Sequence, residues 1–98
     1  GVLMVRSGPS KGGSFPVGDA DVVIGRKPGE GGAQIDDPSI SQRHVLVRPA
    51  SDGCLVYDLG SYNGTKVNDV ELAGSLLRNG DLIKLGDVEM EFVQQEAT

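Results

Sequence analysis

Three segments of the chain group side chains that can hold an anion. Gly25-Arg26 closes an apolar run, Ser41-Gln42-Arg43-His44 opens another, and Asn63-Gly64-Thr65 follows Asp58-Leu59-Gly60-Ser61-Tyr62. An arginine such as Arg26 offers a planar fork of donors that matches phosphate geometry. Ser41 adds a hydroxyl donor, and Gln42 adds an amide or its backbone N–H. Asn63 carries an amide with both donors and an acceptor.

Other chemistries are less well supplied. A histidine-based mechanism must use His44, the only histidine. Ser41 or Ser39 with His44 and an aspartate would make a hydrolase triad. The chain lacks a Gly-x-Ser-x-Gly elbow and is too short for the usual scaffolds, so no enzymatic activity is expected. Lys11-Gly12-Gly13 lacks the spacing and following helix of a phosphate loop and reads as a hairpin turn. Asn63-Gly64-Thr65 matches a glycosylation acceptor, which has meaning only in a secreted protein, and neither leader nor disulfide pattern supports secretion. As turn residues, Asn63 and Gly64 supply the left-handed conformations that tight loops need, and such a turn would aim Asn63. Gly25 reads as a point of close backbone approach, and Cys54 as a strand residue without redox role.

Composition narrows the classes further. Ninety-eight residues suit one domain, which buries roughly 60–65% of the surface its unfolded chain exposes. That supports one modest core rather than a core plus a deep catalytic cleft. With 38% hydrophobic and 23% charged residues the chain is globular. Aromatics at 4%, no Trp and a net charge of −5 argue against a nucleic-acid partner, which needs stacking platforms and a cationic field. A local cationic pocket can still hold one anionic group. A single cysteine excludes an internal disulfide framework and a multi-cysteine zinc site, and neither metal nor cofactor is expected. No apolar stretch approaches the ~20 residues of a membrane span, so no membrane association is expected. The expected location is cytoplasmic, or nuclear in a eukaryote. The chain opens on Gly1 rather than Met, as expected of a piece of a longer protein.

These residues need a scaffold, and the chain reads as all-β. Fifteen Gly and five Pro punctuate short apolar runs. Val2–Arg6, Phe15–Val17, Val22–Arg26, His44–Arg48, Cys54–Leu59, Leu82–Leu85 and Val88–Val93 read as strands. Val88, Met90 and Phe92 alternate with Glu89 and Glu91, one face toward a core and one toward water. Gly86-Asp87 fits a two-residue hairpin, and Asn79-Gly80-Asp81 marks another turn. Val70–Leu77 is the nearest approach to a helix, but Gly74 interrupts it. Lys27–Ser41 and Ser61–Lys66 are the longest irregular stretches, and Gln94–Thr98 reads as a frayed tail.

The ordered set Gly25-Arg26, Ser41-x-x-His44 and Asn63-Gly64-Thr65 resembles the forkhead-associated (FHA) domain family. The connecting text resembles it too: Asp36-Asp37-Pro38-Ser39-Ile40-Ser41, Leu59-Gly60-Ser61-x-Asn63-Gly64-Thr65-x-Val67-Asn68 and Leu77-x-Asn79-Gly80-Asp81-x-Ile83-x-Leu85-Gly86. The resemblance runs from about Leu3 to Val93. It implies a β-sandwich of two antiparallel or mixed sheets, with about eleven short strands and binding loops at one end. It implies a phosphothreonine-dependent module of Ser/Thr kinase signalling, monomeric, whose ligand lies in another protein or in the parent chain. By the same resemblance Arg26 and Ser41 contact the phosphate, Gln42 and Tyr62 lie at supporting contact positions, and Asn63 holds the peptide main chain. Gly25, His44, Gly64 and Thr65 brace the loops. Gln42 stands where the family often has a basic residue, and Tyr62 where it more often has a small or hydroxyl residue. The Gly-rich Lys27–Gln34 loop is expected to be mobile without ligand. The alternative is a phosphate-independent interaction or self-association module using one sandwich face.

Overall fold

The computed structural model describes residues 1–8 and 10–94. Eleven strands follow in order: β1 (Val2–Val5), β2 (Ser14–Pro16), β3 (Val22–Gly25), β4 (Ala33–Gln34), β5 (Val45–Ala50), β6 (Gly53–Asp58), β7 (Thr65–Val67), β8 (Val70–Glu71), β9 (Gly74–Leu77), β10 (Leu82–Leu85) and β11 (Val88–Val93). They form a six-stranded sheet, β2-β1-β11-β10-β7-β8, and a five-stranded sheet, β4-β3-β5-β6-β9. Every described strand pairing is antiparallel except β3 with β4. No described residue is helical. The molecule is the expected β-sandwich.

Period-2 patterning makes the core. Val88, Met90 and Phe92 on β11 are buried, as are Leu3 and Val5 on β1 and Ile83 and Leu85 on β10. Ile24, Val45, Val47, Val56 and Leu77 meet them from the other sheet. Each such side chain contributes about 1.5–3 kcal/mol on burial. Cys54 is fully buried among them, and burial pushes its thiol up to about 11, which keeps it protonated.

Register places the loops. Ile24 pairs with Val45 and Val45 with Asp58, so β3 ends where β5 begins and β6 ends. Leu85 pairs with both Thr65 and Val88, which puts the start of β7 beside the β10–β11 turn. The β3–β4, β4–β5 and β6–β7 connections therefore gather at one pole with that turn. At the other pole Val2 pairs with Val93, bringing the first and last strands together.

Sequence reading and structure differ over the shortest elements. Ala33–Gln34, within a stretch expected to be irregular, pairs in parallel with Ile24 and Gly25. Thr65–Val67, largely within the Ser61–Lys66 stretch expected to be irregular, is a strand. Val70–Leu77 holds two edge strands, one in each sheet, and Gly74 opens the second beside the Tyr57 ring. Gly86-Asp87 and Asn79–Asp81 turn as expected, the latter with the Asp81 N–H on the Arg78 carbonyl at 3.0 Å. Gln94, counted with the tail, donates its N–H to Asn79 Oδ1 at 2.8 Å; Gln95–Thr98 lie outside the described residues.

Candidate functional site

The first loop leaves β3 locked to the second. Gly25 is buried where any Cβ would run into the Gln42 carbonyl. That absence of a side chain lets the Arg26 and Lys27 N–H groups reach the Ser41 and Gln42 carbonyls, both at 3.0 Å. The Arg26 side chain is half-buried, and its Nε donates to the Ile40 carbonyl at 2.8 Å. This bond fixes the guanidinium plane and leaves both terminal nitrogens without a partner among the described residues. Gln34 Nε2 bonds the Arg26 carbonyl at 3.0 Å from β4.

The second loop, residues 35–44, is organised by Asp37 and His44. The Asp37 carboxylate accepts the Ser39 hydroxyl at 2.6 Å and the Ser39 N–H at 2.9 Å; these bonds hold its carboxyl below the usual range. Ser39 passes the link onward. Its hydroxyl oxygen accepts the Asp87 N–H at 2.9 Å, and its carbonyl accepts Asn63 Nδ2 at 2.8 Å. His44 is fully buried. Its Nδ1 accepts the Ser41 N–H at 3.2 Å, and its Nε2 meets the Gly64 carbonyl at 2.9 Å. A backbone N–H only donates and a carbonyl only accepts, so the ring is neutral with its proton on Nε2.

The third loop, residues 59–64, hangs on Asp58. Its carboxylate accepts the Gly60 and Ser61 N–H groups at 2.7 Å, the Ser61 hydroxyl at 2.5 Å and the Thr65 hydroxyl at 2.7 Å. Burial pushes this carboxyl up, but the bonds from Ser61, Thr65 and Gly60 outweigh it and leave it below the usual range. The Gly64 N–H bonds Ser61 Oγ at 3.0 Å. The Tyr62 N–H then donates to Ser41 Oγ at 3.0 Å, joining the third loop to the second. The Tyr62 ring is 93% exposed.

The pole thus presents the Arg26 terminal nitrogens, the Ser41 hydroxyl proton, and the Asn63 Oδ1 with one amide hydrogen. Direct hydrogen bonds connect the elements that carry all three. Gln42 is exposed and uses its carbonyl for Lys27; Arg43 is exposed beside it. Thr65 lies buried beneath the third loop, and Gly64 supplies the carbonyl for His44. The sequence reading gives Asp58 and Asp37 no site role, and it gives Ser39 only a place in a hydrolase triad that the chain does not support. Asp-x-Gly-Ser and Asp-Pro-Ser have Asx-turn spacing and were the available signal.

Comparison with known proteins agrees. The sequence profile of the FHA domain matches residues 22–86, and the chain belongs to the FHA domain family. The oxoglutarate dehydrogenase inhibitor of Corynebacterium jeikeium is 36% identical over 92 residues, covering 94% of this chain and 63% of that protein. The glycogen accumulation regulator GarA of Mycobacterium tuberculosis is 34% identical over 92 residues, covering 94% of this chain and 56% of its own length. This chain therefore spans less than two thirds of either relative. A solved FHA domain, studied for phosphothreonine-dependent interactions, superposes with a TM-score of 0.85 at 29% identity, over 98% of this chain and 97% of that one. These relatives are an inhibitor, a regulator and an interaction domain.

Proposed function

We propose that this domain binds phosphothreonine in a partner protein or in its parent chain, and so reads out Ser/Thr kinase signalling. The observation that carries it is the convergence of unspent donors, Arg26, Ser41 and Asn63, on loops braced from within by Asp37, Ser39, His44 and Asp58. A phosphothreonine brings about −1.5 to −2 charges and three acceptor oxygens at pH 7. Arg26 faces them with a fork already oriented by Ile40, and the Ser41 hydroxyl keeps its proton because its lone pair takes the Tyr62 N–H. Asn63, held through one amide hydrogen by Ser39, retains an acceptor and a donor for the ligand main chain. Gln42 and the Tyr62 ring border the phosphate contacts. His44 braces the second and third loops rather than touching ligand. With both ring nitrogens engaged it cannot serve as a general base, which supports binding without catalysis. Phosphothreonine is made where ATP is available, which supports a cytoplasmic location, or a nuclear one in a eukaryote.

The test is titration of three peptides that differ at one residue. Phosphothreonine is expected to bind about 4- to 200-fold more tightly than phosphoserine, since a single methyl decides between identical phosphates. The unphosphorylated peptide is expected not to bind. Equal affinity for all three would overturn the proposal in favour of a phosphate-independent interaction module.

A further inference from the structure

Against the third loop lies an open pocket of about 380 Å³. The end of β8 and the β8–β9 connection wall it through Glu71, Leu72 and Ala73, and Ser61 and Gly64 line it from the third loop. The pocket therefore shares a wall with the loop that presents Asn63.

We propose that this pocket takes an arginine or lysine side chain flanking the bound phosphothreonine. Its two carboxylates are in different states. That of Asp58 is spent on four donors of its own loop. That of Glu71 makes no hydrogen bond or ion pair among the described residues, where the ion pairs are Arg6–Glu91 and Arg48–Asp21. Lys66 is its cross-strand neighbour but is not within ion-pair distance. The Glu71 Oε1 lies instead over Gly64, where a side chain on residue 64 would displace it. Leu72 and Ala73 offer apolar wall for the methylene stem of a long cationic side chain, while its head reaches the Glu71 carboxylate. A smaller cationic group would leave that wall uncovered, and an acidic one would meet Glu71 in a chain already at net charge −5.

The proposal rests on the phosphothreonine function above, and its test separates the two. An oriented phosphothreonine peptide library is screened against the wild-type domain and against Glu71→Gln and Glu71→Lys. Glu71 is an exposed edge-strand residue, so both variants are expected to fold, which circular dichroism checks. Wild type is expected to enrich Arg and Lys at one flanking position. Replacing that residue by Ala in a selected peptide is expected to weaken binding about two- to fivefold, as suits an exposed ion pair. Glu71→Gln is expected to lose the enrichment with the phosphothreonine requirement intact, and Glu71→Lys to favour Asp or Glu there. Phosphothreonine binding without a basic preference, or a preference unchanged in Glu71→Gln, overturns the pocket assignment alone. Absence of phosphothreonine binding overturns the function as well.

Discussion

The three loops of the binding pole are built in two ways. The second and third, residues 35–44 and 59–64, are cross-braced by side chains: Asp37 to Ser39, Ser39 to Asn63, His44 to both loops, Asp58 to four donors. The first, between β3 and β4, has few internal bonds beyond Gly32 N–H to the Gly29 carbonyl at 3.2 Å. Gly29 and Gly31 take positive φ there, with open space around them. Arg26, the cation of the proposed phosphate site, nonetheless sits at the root of this lightly held loop and is fixed by Ile40 of the second loop rather than by its own. The domain thus puts its geometric precision into neutral donors and borrows it for the cation. A phosphate oxygen attracts a guanidinium over distance, whereas a hydroxyl or amide must already be in place.

The largest expected effect separates charge from scaffold. Arg26→Ala removes the main phosphate partner of the proposed site, and truncating one side of a hydrogen-bonded charge pair costs roughly 2–5 kcal/mol. Phosphopeptide affinity is expected to fall at least about tenfold by calorimetry while circular dichroism stays unchanged. Unchanged affinity would remove Arg26 from the site.

Next comes the brace itself. His44→Ala leaves the Ser41 N–H and the Gly64 carbonyl unpaired beneath the loops, each at about 1–3 kcal/mol, and opens a void in a fully buried site. Stability in urea is expected to drop by about 2–4 kcal/mol. A variant as stable as wild type that no longer binds would make His44 a ligand residue and would break the comparison.

Asp58→Asn keeps the shape of the third loop's hub and removes its charge, turning an amide donor toward hydroxyls that already donate. A loss of about 1–2 kcal/mol at pH 7 is expected. The sign with pH follows from a folded carboxyl held below its ordinary value. Its contribution is present above the unfolded pKa of about 3.9 and is lost as pH falls through the lower folded value. The gap between wild type and Asp58→Asn in urea midpoint is expected to narrow as pH drops below about 4. A constant gap would mean that shape, not charge, holds the loop.

The smallest effect belongs to the first loop. Gly29→Ala places a side chain at φ +92 with nothing nearby to strike. Left-handed strain is about 1–2 kcal/mol in a rigid setting, and a lightly held loop relaxes part of it. A stability loss under about 1 kcal/mol is expected, with affinity changed less than about threefold. A loss equal to that of His44→Ala would show the first loop to be as rigid as the others.

Much of this was legible in the sequence, and the gaps have physical causes. Strands of four to six residues with alternating burial, such as β11, announce themselves by period. β4 and β8, with two residues each, have no period to read, and their pairing is fixed by neighbours distant in sequence. The donors Arg26, Ser41 and Asn63 were named because their chemistry is outward-facing. Asp58 and Ser39 escaped because their work is internal: a carboxylate or hydroxyl that serves its own loop looks in sequence like any solvated polar residue. Glu71 escaped for the opposite reason, since its significance lies in a bond that Lys66 does not make.

The pairing of Val2 with Val93 has a bearing on tethering. Chain entering and leaving the sandwich does so at adjacent points on the pole opposite the loops. Fluorophores or fusion partners attached at both ends would sit side by side and leave the recognition surface uncovered. A tail bent back to its own domain's loops has a body with a 40 Å longest axis to pass, and crossing that full length takes about twelve extended residues. A tail shorter than that would not reach the loops from its own domain.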